Sequence, residues 1–176
     1  MSGSGENKII GKSNITQNQI NGQDRKTAIY SKWATLKVNF DNSQGRNIIE
    51  GDIVVENGTS HVTMGNQNSI SSSVSLIKGN IKANRANKDA LPYQYPIINV
   101  TMNSNSNTLE RDVQTGGFTN NIDSGRINLT LKGSENNIHG SIKSENSGYN
   151  QIYFEKVLVI IQLSVALFLK AIILVL

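Results

Sequence analysis

Residues with the chemistry of catalysis are few in this chain, and their spacing forms no recognised site. The sequence contains two histidines and no cysteine, which excludes a thiolate nucleophile, a thiolate zinc site and a disulfide framework. Neither His61 nor His139 has acidic residues nearby with the spacing of a metal site. We therefore predict no catalytic residue and no metal site, and we expect a protein that is not an enzyme.

Two pairs of carboxylates have a spacing that general acid–base catalysis could use. Glu50 and Asp52 are separated by one residue, as are Glu110 and Asp112. Alternate side chains of a strand point to the same side, so each pair would share one face. For the first pair this face is opposite to the flanking isoleucines. We interpret both pairs as solvated outer residues rather than as an acid and a base.

Ligand binding has better candidates, in a basic segment that runs into a loop with two tyrosines. Lys82 and Arg85 lie in residues 78–88, which contain no acidic residue, and Tyr93 and Tyr95 follow between the two prolines of the chain. Prolines stiffen a loop, and tyrosines supply contact area at a low entropic cost. We predict that these four residues bind a ligand. The alternative is an ordinary connection whose tyrosines pack on the domain.

The composition is unfavourable for a helical body and for a nucleic-acid partner. Charged residues are 17 % of the 176 residues and the net charge is +4, whereas about 25 % charged residues is usual. The polar character comes from serine and from 24 asparagines, which compete with helical hydrogen bonds and favour turns. Aromatic residues are only 6 %, too few for a groove that stacks bases, so we predict no nucleic-acid partner.

The middle of the chain alternates between apolar and polar residues. In residues 34–40 the apolar Leu36, Val38 and Phe40 share one face, and residues 127–131 repeat the pattern. Turns rich in asparagine, serine and glycine separate such segments every ten residues or so, about the spacing of strands in antiparallel folds. We predict an all-β domain that is either an antiparallel barrel of about eight strands or an antiparallel sandwich. Each strand would have one buried and one solvent-exposed face.

Two short patterns recur within the predicted strands. An Ile-x-Gly-x-Ile unit occurs at residues 49–53, 77–81 and 138–142, and its glycine would let a sheet bend at a corner of a small barrel. Asn14, Asn57, Asn99 and Asn128 each begin an Asn-x-Thr triplet, the N-glycosylation sequon. Such triplets arise by chance in an asparagine-rich chain, and they indicate glycosylation only if the protein enters a secretory pathway.

The C-terminal segment differs in composition from the rest of the chain. Residues 157–176 are apolar except for Gln162, Ser164 and Lys170. As a helix this segment would be about 30 Å long, which matches the hydrocarbon core of a bilayer. We predict a C-terminal hydrophobic helix that anchors the protein in a membrane. The alternatives are a buried core helix or strand pair and an aberrant, frame-shifted tail.

These observations divide the chain into three parts. We predict a flexible polar segment over residues 1–27, the antiparallel β domain over residues 28–154 and the hydrophobic tail over residues 155–176. Lys156, directly before the apolar stretch, favours an orientation in which a tail-anchored domain faces the cytoplasm. The asparagine-rich composition favours the cell envelope or surface instead, so both locations stay open.

Two stretches carry a resemblance to a known family. Residues 35–55 (TLKVNFDNSQGRNIIEGDIVV) join a strand ending in Val-Asn-Phe to a turn and a hydrophobic-x-Gly-x-hydrophobic strand, and residues 138–154 keep Gly140 and Phe154. This arrangement resembles the β-barrel domain of transferrin-binding-protein-B-like bacterial surface lipoproteins. The family's Tyr-Gly-Pro turn is absent at residues 143–145. The resemblance implies an eight-stranded antiparallel barrel that captures a host protein, haem or an iron carrier.

The expected function follows from the lack of reactive residues and from this resemblance. We expect a non-enzymatic binding module at a cell envelope, with a host protein, haem or an iron carrier as its ligand and with a membrane contact through the tail. The alternative is a membrane-anchored structural or self-assembling β protein. None of the family's binding residues has a matching motif in this sequence.

Overall fold

The structure is a computed structural model, and its described part consists of strands and turns. It describes residues 5–9, 13–16, 27–32, 34–40, 45–66, 68, 72–84, 95–116, 125–145, 148–155, 159–162 and 171–175, the first two and last two ranges as backbone alone. The strands are β1 (Gly5–Ile9), β2 (Ser13–Thr16), β3 (Thr27–Lys32), β4 (Thr35–Phe40), β5 (Arg46–Glu50), β6 (Asp52–Glu56), β7 (Thr59–Met64), β8 (Val74–Ile77), β9 (Ile81–Asn84), β10 (Ile97–Met102), β11 (Ser106–Leu109), β12 (Val113–Gly116), β13 (Arg126–Leu131), β14 (Glu135–His139), β15 (Ile142–Ser144), β16 (Tyr149–Phe154), β17 (Val159–Gln162) and β18 (Ala171–Val175).

The strands form three parallel sheets. The first sheet has the order β1-β4-β7-β10-β13-β16-β18, the second β2-β5-β8-β11-β14-β17 and the third β3-β6-β9-β12-β15. From β1 to β16 each strand is followed in the chain by a strand of the next sheet, and it pairs with the strand one full turn away; β18 lies in the first sheet. The chain winds as a three-sided parallel β-helix, in which one coil contributes one strand to each sheet.

The predicted antiparallel barrel or sandwich is wrong, because every paired strand of the described chain runs parallel to its neighbours. The alternation of apolar and polar residues correctly indicated one buried face per strand, as in β4 and β10. Alternation does not report the direction of the partner strand. The turns whose spacing suggested an antiparallel fold are, where they are described, corners at which the chain passes to the next sheet.

Inward side chains stack on the equivalent side chains of the neighbouring coils. The buried rows of the first sheet are Leu36–Ser60–Ile98–Ile127–Asn150, Val38–Val62–Val100–Leu129–Ile152 and Phe40–Met64–Met102–Leu131–Phe154. Apolar residues stack on apolar residues along the second and third rows, whereas the first row includes the buried polar Ser60 and Asn150. The stacking buries apolar surface that no single coil could bury alone.

The Ile-x-Gly-x-Ile units lie at the corner between the second and third sheets. Gly51 has φ of 129°, a conformation that glycine adopts without strain, and it separates β5 from β6. Each unit is thus the end of one strand and the start of the next, not a single strand with a bend. The glycines mark bends as predicted, but these are the corners of a coil rather than of a barrel.

The predicted C-terminal hydrophobic helix is also wrong where the tail is described. Residues 159–162 form β17, which pairs with β14 in the second sheet, and residues 171–175 form β18, which pairs with β16 in the first. Among the described residues, no helix has the length and apolar character needed to cross a membrane. The tail was predicted to be helical because its apolar run matches a bilayer in length. Parallel strands also have near-continuous apolar runs.

Candidate binding surface

The outward side of the first sheet presents polar side chains in three straight rows. We call the outward residues of β4, β7, β10, β13 and β16 the polar face. Its first row is Thr35, Thr59, Ile97, Arg126 and Tyr149; its central row is Lys37, His61, Asn99, Asn128 and Gln151; its threonine row is Asn39, Thr63, Thr101, Thr130 and Tyr153. The rows run across the strands, so neighbouring members are one strand spacing apart, about 4.8 Å.

The central row is linked by hydrogen bonds between side chains. Asn128 Nδ2 donates to Asn99 Oδ1 at 2.8 Å, and Asn99 Nδ2 lies 3.3 Å from His61 Nδ1. These side chains are partly buried against their neighbours. An amide group has two N–H donors and two oxygen lone pairs, so each asparagine keeps hydrogen-bonding capacity beyond these contacts.

Charge is nearly absent from the polar face. Lys37 and Arg126 are its only charged side chains, and it has no carboxylate among its described members. The ion pairs lie elsewhere and mostly join adjacent coils on the other two sheets: Lys32–Glu56 (3.5 Å), Lys78–Glu50 (3.0 Å), Lys82–Asp52 (2.8 Å), Lys132–Glu155 (3.2 Å) and Lys143–Asp112 (3.3 Å). The polar face therefore differs chemically from the other described surfaces.

The sequence suggested that each carboxylate pair shares one face of a strand, and the structure shows that the members of a pair do not. Glu50 ends β5 and Asp52 begins β6, on opposite sides of the glycine corner. Asp52 accepts hydrogen bonds from the backbone N–H of Asn80 at 2.8 Å and from Lys82 Nζ at 2.8 Å. Asn80 Oδ1 in turn accepts a bond from the N–H of Asp112 at 3.2 Å. These carboxylates connect successive coils, and this accounts for their position at the corner.

Asp112 continues this ladder into the next coil. Its Oδ1 accepts from the N–H of Ser141 at 2.8 Å, and its Oδ2 accepts from Lys143 Nζ at 3.3 Å. Burial by itself would raise the pKa of Asp112, but the Ser141 hydrogen bond and the positive charges of Lys143 and Arg111 lower the pKa below its ordinary value.

Asp112→Asn should remove a pH-dependent part of the stability. A carboxyl group whose pKa is lowered by folding stabilises the protein above its ordinary pKa of 3.8, and this contribution disappears as the pH falls through the folded-state pKa. We expect the unchanged protein to be more stable than the variant at neutral pH and the difference to shrink in acid. Urea unfolding over a series of pH values measures it. A difference that is independent of pH would contradict the assignment.

Of the four predicted ligand-binding residues, the structure describes Lys82 and Tyr95. Lys82 lies on the outward side of β9 in the third sheet and is paired with Asp52. Tyr95 lies two residues before the start of β10 of the first sheet and is partly buried. Arg85 and Tyr93 lie outside the described residues. Lys82 is thus a link between coils rather than a free cation.

Sequence reasoning missed the polar face, although a signal was present. The Asn-x-Thr triplets that begin at Asn99 and Asn128 lie opposite each other on β10 and β13. On β7 the triplet His61-Val62-Thr63 occupies the same register. The triplets therefore mark equivalent positions of successive coils, which an interpretation as sequons did not reveal.

The described residues contain no metal centre, and the chain has no recognised relative. Among the described residues, no group of three or more His, Cys, Asp or Glu side chains could hold a metal ion. No protein-family model matches the chain, and no curated protein or solved structure matches it with statistical significance. A functional assignment therefore depends on the fold and on the chemistry of the polar face.

Proposed function

We propose that this protein is a non-enzymatic binding module that binds carbohydrate on the polar face. The observation that supports the proposal is the alignment of uncharged donors and acceptors, above all Asn99, Asn128, Thr63, Thr101 and Thr130, on one side of a rigid sheet. Amide and hydroxyl groups each both donate and accept hydrogen bonds, as sugar hydroxyls do. A binding site on regular strands is also held more precisely than one on loops.

The ligands predicted from the sequence have less support than carbohydrate. A host protein, haem or an iron carrier was implied by an antiparallel barrel, and the fold is a parallel β-helix. These ligands, the membrane contact and the envelope location stay predictions. The carbohydrate proposal does not depend on them.

Affinity electrophoresis in gels that contain a neutral or an acidic polysaccharide tests the proposed function. We expect the protein to be retarded by hydroxyethylcellulose and Asn128→Ala to weaken this binding about three- to tenfold, as expected for the loss of a net hydrogen bond. Asn137→Ala is the matched control, because Asn137 is a partly buried outward asparagine of β14 in the second sheet. Absence of retardation by any polysaccharide, or equal effects of the two variants, would overturn the proposal.

A further inference from the structure

The polar face is periodic in one direction only. Along the threonine row, Thr63, Thr101 and Thr130 repeat the same hydroxyl at each strand, and along the central row Asn99 and Asn128 repeat the same amide. Along a single strand, by contrast, adjacent outward residues differ in type, as in Thr59-His61-Thr63 of β7. A ligand that repeats along the rows, across the strands, therefore meets equivalent groups at every step.

We infer that the ligand is a linear, uncharged, β-1,4-linked polysaccharide that lies along the rows with one sugar unit per coil. This inference rests on the proposed function and adds the class of glycan and its direction. An extended β-1,4-linked chain of pyranose rings is a flat ribbon that advances per sugar by slightly more than the strand spacing of about 4.8 Å. Its successive rings are turned over, so each edge presents hydroxyl groups at every sugar and the same hydroxyl at every second sugar. An α-1,4-linked chain curls and loses this register after a few units.

The two side edges of such a ribbon carry hydroxyl groups, and the rows supply partners for both. A ribbon laid between the central and threonine rows has amides such as Asn128 on one edge and hydroxyls such as Thr130 on the other. At β16, Tyr149 and Tyr153 flank Gln151 on the same outward side. Their rings offer apolar faces to sugar C–H groups and phenol hydroxyls to sugar oxygens.

The charges of the polar face do not suit an acidic polymer. Lys37 lies in the central row on β4 and Arg126 in the first row on β13, with two other strands between them in the sheet. A polyuronate carries a carboxylate on every sugar and would need a cation at each step. The uncharged groups, by contrast, recur at each of the strands β7, β10 and β13.

Isothermal titration calorimetry with the series from cellobiose to cellohexaose tests the inference. We expect the association constant to rise with each added glucose, by about tenfold between cellotriose and cellopentaose, because each coil adds about one net hydrogen bond. Maltohexaose has the same sugars in a curled chain and is the matched control ligand, expected to bind no better than cellobiose. Thr101→Val should flatten the length dependence, whereas Thr108→Val, on the outward side of β11 in the second sheet, should not.

The outcomes separate the inference from the proposed function. If cello- and malto-oligosaccharides bind equally, or if affinity is independent of length, the inference fails and carbohydrate binding stands. Tighter binding of oligogalacturonates also overturns the inference. If no oligosaccharide or polysaccharide binds, both proposals fail.

Discussion

Gly79→Ala should prevent folding or lower the free energy of unfolding by more than about 3 kcal/mol. A Cβ atom at this position would overlap the carbonyl group of Gly51 in the preceding coil and would lie 2.7 Å from the N of Asp52. Both are backbone groups at the corner, where Ile53 N donates to Asn80 O at 2.8 Å. The clash cannot be relieved by rotating a side chain, so the two coils must separate and lose bonds between them.

Gly116→Ala is the matched control for this effect. A Cβ atom at residue 116 would meet side-chain oxygens only, Asn84 Oδ1 at 3.5 Å and Glu145 Oε2 at 3.6 Å, which are ordinary contact distances. We expect its stability to change by less than about 1 kcal/mol. Urea unfolding followed by circular dichroism compares the two variants. Equal stabilities would show that the coils do not approach each other at Gly79 as described.

Asn107→Ala should lower the free energy of unfolding by about 2 to 4 kcal/mol. Asn107 is fully buried, and its Nδ2 donates to Ser104 O at 2.9 Å and to Asn136 Oδ1 at 2.8 Å. The substitution takes a donor from two buried oxygens and leaves a cavity. In the preceding coil the residue paired with Asn107 is Ser75, whose hydroxyl lies 2.7 Å from Ser104 Oγ. This coil therefore offers no side-chain amide that could replace that of Asn107.

Asn128→Ala provides the comparison between a buried and an outward asparagine row. Asn128 also donates to an asparagine one coil away, at 2.8 Å, but on the polar face. Water can replace this bond, so we expect a loss below about 1 kcal/mol. Urea unfolding of both variants measures the difference. A loss at Asn128 as large as that at Asn107 would contradict the assignment of the two rows to the interior and the exterior. A small loss also keeps Asn128→Ala usable in the binding experiments.

The individual strands could be predicted well, and their partners could not. Leu36, Val38 and Phe40 were assigned to one buried face, and all three are buried in β4. Their neighbours in the sheet come from other coils, and the coil length varies: His61 and Asn99 are 38 residues apart, whereas Asn99 and Asn128 are 29 apart. A repeat of irregular length has no fixed period, so it was not recognised in the sequence.

The polar face was missed for the same reason. Lys82, Arg85, Tyr93 and Tyr95 were chosen from a basic segment and the proline-flanked loop after it, whereas the polar face consists of residues that are one coil apart. Lys82 illustrates the difference, since its partner Asp52 is 30 residues away and neutralises it. Local clustering of charge therefore did not indicate a free cation.

The sequence by itself determined the all-β character, the buried side of strands such as β4 and β13, and the lack of a recognisable catalytic motif. These properties depend on composition and on alternation over a few residues, which act locally. Only the tertiary structure decided that the strands pair in parallel, that the apolar tail contributes strands to two sheets, and that asparagine and threonine align in rows. Such features arise from contacts between coils, and their free energy depends on which distant segments pack together.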